Sequence, residues 1–255
     1  MSPTFRYDPV SIALLVHDMD QRGHAVIEQA FCANELADMR HYVERHASQH
    51  NGRYFAYHGL DALADSPMAR LAASPELATL LDRLHRHATG ASAASREIFP
   101  VLRCVQGGSG ARESNAFHYD ATLITLLVPV FIPEEGQQRG DLVLFPNLRP
   151  VRASVALNVA EKAVLQNRLS RRLICRGIDA GWLKPRTLPL VPGNLYLFWG
   201  YRSLHANQPC DPHLRRATAL FHYGDPHAGS LATRLILTLN QQRARRSVAR
   251  SDTAA

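Results

Sequence analysis

The stretch "AFHYDATLITLLVPVF", Ala116 to Phe131, joins a polar His-x-Asp triplet to an apolar run. Read one way, His118 and Asp120 are two metal ligands at the mouth of a strand. Read the other way, they are the polar edge of an ordinary strand. With 13 histidines in 255 residues, chance supplies on the order of one such triplet, so the triplet alone decides nothing. Its surroundings have to.

Outward from this stretch the texture is that of short strands. "EIFPVLRCVQGG" precedes it, and "GDLVLFPN", "GNLYLFWGY" and "RRATALFHYG" follow. The runs are rich in Val, Leu, Phe, Tyr or Thr, and most are bounded by Gly, Pro, Asn or Asp. Strands in succession, without helices alternating between them, predict an antiparallel sandwich or barrel. One segment departs from this. "NVAEKAVLQNRLSRRLICRGIDAGW" has helical spacing and predicts a helical insert over 151–188. Upstream, "CANELADMRHYVERHASQH" predicts a helix capped by Asn34, with Leu36, Met39, Tyr42 and Val43 as its apolar stripe. "SPELATLLDRLHRHATG" predicts another, capped by Ser74, with Pro75 at N1, Gly90 past its end and Leu77, Leu80, Leu81 and Leu84 buried. The expected layout is a single domain over 1–255. It has a helical part over 1–95, a β core over 97–226 holding the insert, and a C-terminal helix and tail over 227–255.

Composition agrees with one globular unit: 46% of residues are hydrophobic, and no repeat or low-complexity tract is present. Cys32, Cys104, Cys175 and Cys210 form no C-x-x-C pair, which excludes a zinc ribbon or disulfide framework on spacing. The opening residues lack the pattern of a secretory leader, and no apolar run is long enough to span a bilayer. A cytoplasmic protein is therefore expected. The charge is localised. Between Arg149 and Arg186 there are nine basic residues and two acids, so this segment alone carries +7, equal to the net charge of the chain. Such a lobe attracts anions locally. Its only aromatic is Trp182, which counts against nucleic-acid binding by base stacking.

If His118 and Asp120 share a strand, both side chains point to one face. "VPGNLYLFWGYRSLHANQP" offers a third ligand, His205, at the end of an aromatic strand. Two imidazoles and one carboxylate on one face of a metal leave the opposite face open, the arrangement of non-haem Fe(II) oxygenases. "LRRATALFHYGD" then places Arg216 and Thr218 two apart on a strand. Together they suit the distal carboxylate of 2-oxoglutarate. Arg215 points the other way. His222 shares the face of Arg216 and is expected to pack beside the ligands.

With these motifs in order, the sequence over about 24–226 resembles the Fe(II)/2-oxoglutarate-dependent oxygenases, and within them the phytanoyl-CoA hydroxylase-like branch. "FHYD" is similar to the first part of the metal motif. "PGNLYLFWGYRSLHANQP" is similar to the strand and loop carrying the distal histidine, and Arg216 falls eleven residues beyond His205. The resemblance implies a mainly β fold with flanking helices, built on a double-stranded β-helix (jelly-roll, cupin-like) core. It implies Fe(II) on His118, Asp120 and His205, and 2-oxoglutarate as cosubstrate on Arg216 and Thr218. It also implies hydroxylation of a C–H bond by O2 with release of succinate and CO2. Halogenases of this kind carry Gly or Ala where Asp120 stands, so the carboxylate points to hydroxylation, with desaturation and epoxidation as variants. The branch's Gly-Ser-His turn is replaced here by "NLRPVRA", and the insert is large, so acyl-CoA substrates do not transfer.

Candidate substrate residues are Arg103 and Gln106, before the metal strand, Trp199, beside the His205 loop, and Arg168, Arg171 and Arg172 of the insert. The arginines would form a lid or docking face for an anionic or carrier-tethered small molecule. The alternative is a cupin-like metal or small-molecule binding protein without turnover, which leaves Arg216 and Thr218 without a purpose.

Overall fold

The chain is described by a computed structural model over residues 8–110, 113–136, 138–151, 161, 164–165 and 167–226. The elements run α1 (Pro9–Gln21), β1 (Ala25–Ile27), α2 (Ala33–Gln49), β2 (Phe55–His58), α3 (Gly59–Ala62), α4 (Pro67–Ala72) and α5 (Pro75–Thr89). They continue with β3 (Phe99–Val105), α6 (Gly107–Gly110), β4 (Ile124–Phe131), β5 (Leu142–Phe145), α7 (Arg168–Asp179), β6 (Arg186–Leu188), β7 (Leu195–Phe198), β8 (Leu204–Asn207) and β9 (Arg216–Tyr223). Six strands form one sheet in the order β1-β7-β4-β9-β3-β2, and three form a second in the order β6-β5-β8.

Strand periodicity sorts the side chains into layers. From β4, Ile124, Leu126, Val128 and Val130 join a core with Ala217, Ala219, Phe221 and Tyr223 of β9. This core is closed by α1 (Ile12, Val16, Met19), α2 (Met39, Tyr42, Val43) and α5 (Leu77, Leu80, Leu81, Leu84). The opposite face of the large sheet meets the small one through Leu127, Leu142, Leu144, Tyr196 and Phe198. The outer face of the small sheet, with Val143, Leu204 and Ala206, is covered by Ile174, Cys175 and Ile178 of α7. The order is helices, large sheet, small sheet, helix.

The α5 caps form as predicted: Ser74 Oγ accepts from Leu77 N at 3.2 Å, and Gly90 adopts φ 76 past the last turn. Helix α2 starts earlier than predicted. Its N-cap is Cys32, whose N–H donates to Glu35 Oε2 at 2.9 Å, so Asn34 lies inside the first turn. The N-terminal part is not purely helical: β1, in the strand-like "HAVIEQAF" with Val26 and Ile27, and β2, which the sequence does not signal, form the two edges of the large sheet. Nor is the insert helical to residue 188: Arg186–Leu188 pairs with β5. Its residues 152–160, 162–163 and 166, and the predicted C-terminal helix over 227–255, lie outside the described residues.

The opening stretch also differs from expectation. His118 makes an isolated antiparallel bridge with His205 in β8. A bend at Ala121–Leu123 then carries the chain to β4 in the other sheet. The His-x-Asp triplet is therefore attached to the small sheet and the apolar run belongs to the large one. The site lies at this crossing.

Candidate metal centre

His118 and His205 exchange backbone hydrogen bonds, at 2.9 Å from His118 N and 3.0 Å from His205 N. This pairing sets the two rings side by side, with centroids 4.3 Å apart. Each ring is oriented through its other nitrogen. His118 Nδ1 donates to the Ala116 carbonyl at 2.8 Å, and His205 Nδ1 donates to the Ser203 carbonyl at 3.0 Å. A carbonyl oxygen only accepts, so the tautomer leaves both Nε2 lone pairs free. They face Asp120: His118 Nε2 is 3.7 Å from Oδ1, and His205 Nε2 is 3.5 Å from Oδ2. One donor atom from each residue lies within 4.8 Å of the other two. Two imidazoles and a carboxylate brought together in this way are a donor set for a divalent cation. His205 is reached in its own strand, β8, and not at the end of the aromatic strand β7.

Asp120 is held from three sides. Thr125 donates to its Oδ2 at 2.5 Å. His222 Nδ1 stands 3.8 Å from the same oxygen, and 3.3 Å from Thr125 Oγ1. The Asp120 N–H donates to the Gly200 carbonyl at 3.0 Å. Burial by itself raises the carboxyl pKa, but His205, His222 and His118, with the Thr125 hydrogen bond, outweigh it and hold the group below the usual carboxylate range. The His118 imidazolium is disfavoured by burial and by His205, which brings its pKa down to about 3. Both ligands are thus in their metal-binding protonation states at neutral pH.

Arg216 and Thr218 are each 1% exposed, on the inward face of β9. Arg216 Nε donates to the Gly140 carbonyl at 2.6 Å, Nη2 to Asn207 Oδ1 at 2.8 Å, and Nη1 to Thr218 Oγ1 at 3.4 Å. All three acceptors are neutral. Among the described residues no carboxylate pairs with this guanidinium, and one N–H remains on each terminal nitrogen. Burial and Arg103 lower its pKa to about 10, still protonated at neutral pH. Gly140 makes the fit: a β-carbon there would stand 2.3 Å from Arg216 Cδ.

The other predicted residues separate. Arg103 pairs in register with Thr218, so it shares the inward face, and it meets Glu113 at 3.4 Å. Gln106 is occupied, its amide nitrogen on Arg53 O at 2.9 Å and its oxygen accepting from Arg215 at 3.1 Å. Trp199 is displaced from the expected position at the site. It is fully buried in the core under the helices and donates Nε1–H to Asp20 at 2.9 Å. The cause is strand alternation: Phe198 takes the inward position, its ring 4.9 Å from that of His205, so its neighbour points outward. In the insert, Arg171 donates to the Ser114 carbonyl and Arg172 is exposed. Arg168 opens α7, and its side chain lies outside the described residues.

Four residues of the site carry no signal of their own in the sequence. Thr125 and Gly200 support Asp120, and Asn207 bridges β8 to Arg216. Arg149 lies behind the triplet, its guanidinium 3.9 Å from the Tyr119 ring and 4.3 Å from that of Tyr201. It donates to the Tyr201 carbonyl at 2.7 Å and to Glu161 of the insert at 2.7 Å. Only the alternation of "LHAN", which puts Asn207 on the face of His205, could have flagged one of them.

No family model matches the chain, and no curated protein matches its sequence. Solved structures do match in fold. A prolyl 4-hydroxylase from Phytophthora capsici superposes with a TM-score of 0.59 at 13% identity, over 91% of this chain and 69% of that one. The epimerase SnoN, in complex with Fe3+, alpha ketoglutarate and nogalamycin RO, gives 0.54 at 19% identity, over 86% and 85%. HygX from Streptomyces hygroscopicus, with nickel and 2-oxoglutarate bound, gives 0.53 at 16%, over 83% and 86%. The core is a double-stranded β-helix. These neighbours include a hydroxylase and an epimerase, so the fold leaves the reaction type open.

Proposed function

We propose that the chain is an Fe(II)- and 2-oxoglutarate-dependent dioxygenase. In this reading it hydroxylates an unactivated C–H bond of a small anionic or carrier-bound metabolite, using O2 and releasing succinate and CO2. The observation that carries the reading is a pair of sites on one strand. His205 faces the triad and Asn207, two residues on, receives Arg216. Two residues of strand span about 7 Å, comparable to a five-carbon diacid reaching from a metal to a cation. A metal-binding protein without turnover has no use for a buried arginine left without a carboxylate.

His118, Asp120 and His205 would hold the iron, and Arg216 with Thr218 would take the distal carboxylate of 2-oxoglutarate. When bound, these groups supply the oxidising chemistry for C–H cleavage. The chain's own residues orient and exclude. The Ala116 and Ser203 carbonyls fix the rings, Thr125 fixes the carboxylate, and Phe198 with Leu220 makes the inner wall apolar. Arg103, Glu113 and Tyr54 make a polar patch near the triad, suited to a charged or hydroxylated substrate. The motif order supports the phytanoyl-CoA hydroxylase-like branch, and the free cysteines fit a reducing cytoplasm.

The test is succinate formation from 2-oxoglutarate with Fe(II), screened against candidate metabolites. Wild type should form succinate, and Asp120→Ala should not. Full activity in Asp120→Ala refutes the triad; metal binding without any 2-oxoglutarate turnover supports the binding-protein alternative.

A further inference from the structure

The outward face of α7 and the turn that follows it combine exposed apolar side chains with exposed cations. Leu169 is 65% exposed, Leu173 56% and Trp182 86%. Arg172 and Arg176 lie among them on the helix, and Lys184 follows, all exposed. Positions 169, 172, 173 and 176 make one helical stripe. It is opposite Ile174 and Ile178, which are already packed on the small sheet. From Val164 to Val191 there are six basic residues and a single acid, Asp179.

The turn that presents Trp182 is ordered. The Gly177 carbonyl accepts from both Trp182 N and Leu183 N at 2.9 Å. Leu183 folds onto Gly177, where a β-carbon would stand 2.9 Å from its Cδ1. Gly181, at φ 72, allows the chain to reverse. Exposed Leu169, Leu173 and Trp182 together, rimmed by cations, have the character of an interaction surface.

We infer that this face docks the protein peripherally on an anionic phospholipid surface. Leu169, Leu173 and Trp182 would enter the interface, and Arg172, Arg176 and Lys184 would reach the phosphates. The pattern decides between partners. A protein interface has an apolar centre and a polar rim. Here leucine and arginine alternate along one convex stripe, which suits side chains that snorkel to headgroups while their neighbours insert. No described helix is long and apolar enough to cross a membrane. The inference is independent of the metal reading and holds whatever the triad does.

The chain has two tryptophans, and Trp199 is fully buried, so changes in indole exposure report Trp182. The full chain would be mixed with phosphatidylcholine vesicles, with and without phosphatidylserine, and followed by tryptophan emission and co-sedimentation. The expected result is a blue shift and sedimentation with the anionic vesicles only, weakening as salt rises. Arg172→Glu with Arg176→Glu should reduce partitioning on the order of tenfold or more. Absence of an emission shift with phosphatidylserine vesicles overturns the inference, even if the variants fail to fold. So does equal binding to neutral vesicles, or binding to DNA or polyglutamate without binding to vesicles.

Discussion

Gly200 and Asp120 fit together without room to spare. A β-carbon on Gly200 would stand 2.3 Å from Asp120 Oδ2 and 2.3 Å from Thr125 Oγ1. The glycine is required for space, because its backbone is not in the left-handed region. Gly200→Ala should therefore leave the fold intact and push the carboxylate out of line. Divalent-metal affinity, measured by titration calorimetry, should fall roughly 10–100-fold. Wild-type affinity in this variant would show that the carboxylate does not need its present position.

Arg216 is a buried cation whose described partners are all neutral. Without ligand it is held at a desolvation cost. Arg216→Met should leave the thermal midpoint of the ligand-free protein unchanged or raise it. 2-Oxoglutarate should stabilise wild type by about 2.7 kcal/mol at a hundred times Kd, and the variant not at all. Arg216→Lys should not rescue, since a point charge lacks the planar fork. Thermal melts with and without 2-oxoglutarate decide it.

Arg149 and Glu161 tie the insert to the back of the metal triplet at 2.7 Å, with the arginine side chain 1% exposed. Arg149→Met and Glu161→Gln should each destabilise the protein, and the double variant should cost less than their sum. A coupling of roughly 1–3 kcal/mol in a denaturant double-mutant cycle is expected. Simple additivity would mean the insert is not anchored through this pair.

Burial lowers the pKa of His24, and burial with His205 nearby lowers that of His118 to about 3. Below the ordinary histidine value of 6.5, the unfolded chain therefore takes up protons that the native state refuses. Metal-free stability should rise with pH up to about 6.5. His24→Asn should flatten this slope in melts across the acid range. An unchanged slope would remove His24 from the account.

Local patterns made much of this protein legible. The α5 caps and its four buried leucines follow from "SPELATLL", and the β9 alternation follows from "RATALFHY". Helix α1 is not legible in the sequence because apolar Val10 and Leu14 lie on its exposed side, at 68% and 60%, which blurs the period that Ile12, Val16 and Met19 show. Strand β2, four residues long, is too short to carry a period.

The sequence by itself determined which residues could meet: His118, Asp120 and His205 as a candidate donor set for a metal ion, and Arg216 and Thr218 two apart on one strand face. Residue type and strand period are local properties, and local properties survive in a string of letters. The tertiary structure alone decided that the triplet belongs to the small sheet while its apolar tail belongs to the large one. It also turned Trp199 away from the site, and brought Thr125, Gly200, Asn207 and Arg149 to the ligands. Those outcomes depend on which strands become neighbours, a property of the packed sheets that no single stretch of sequence contains.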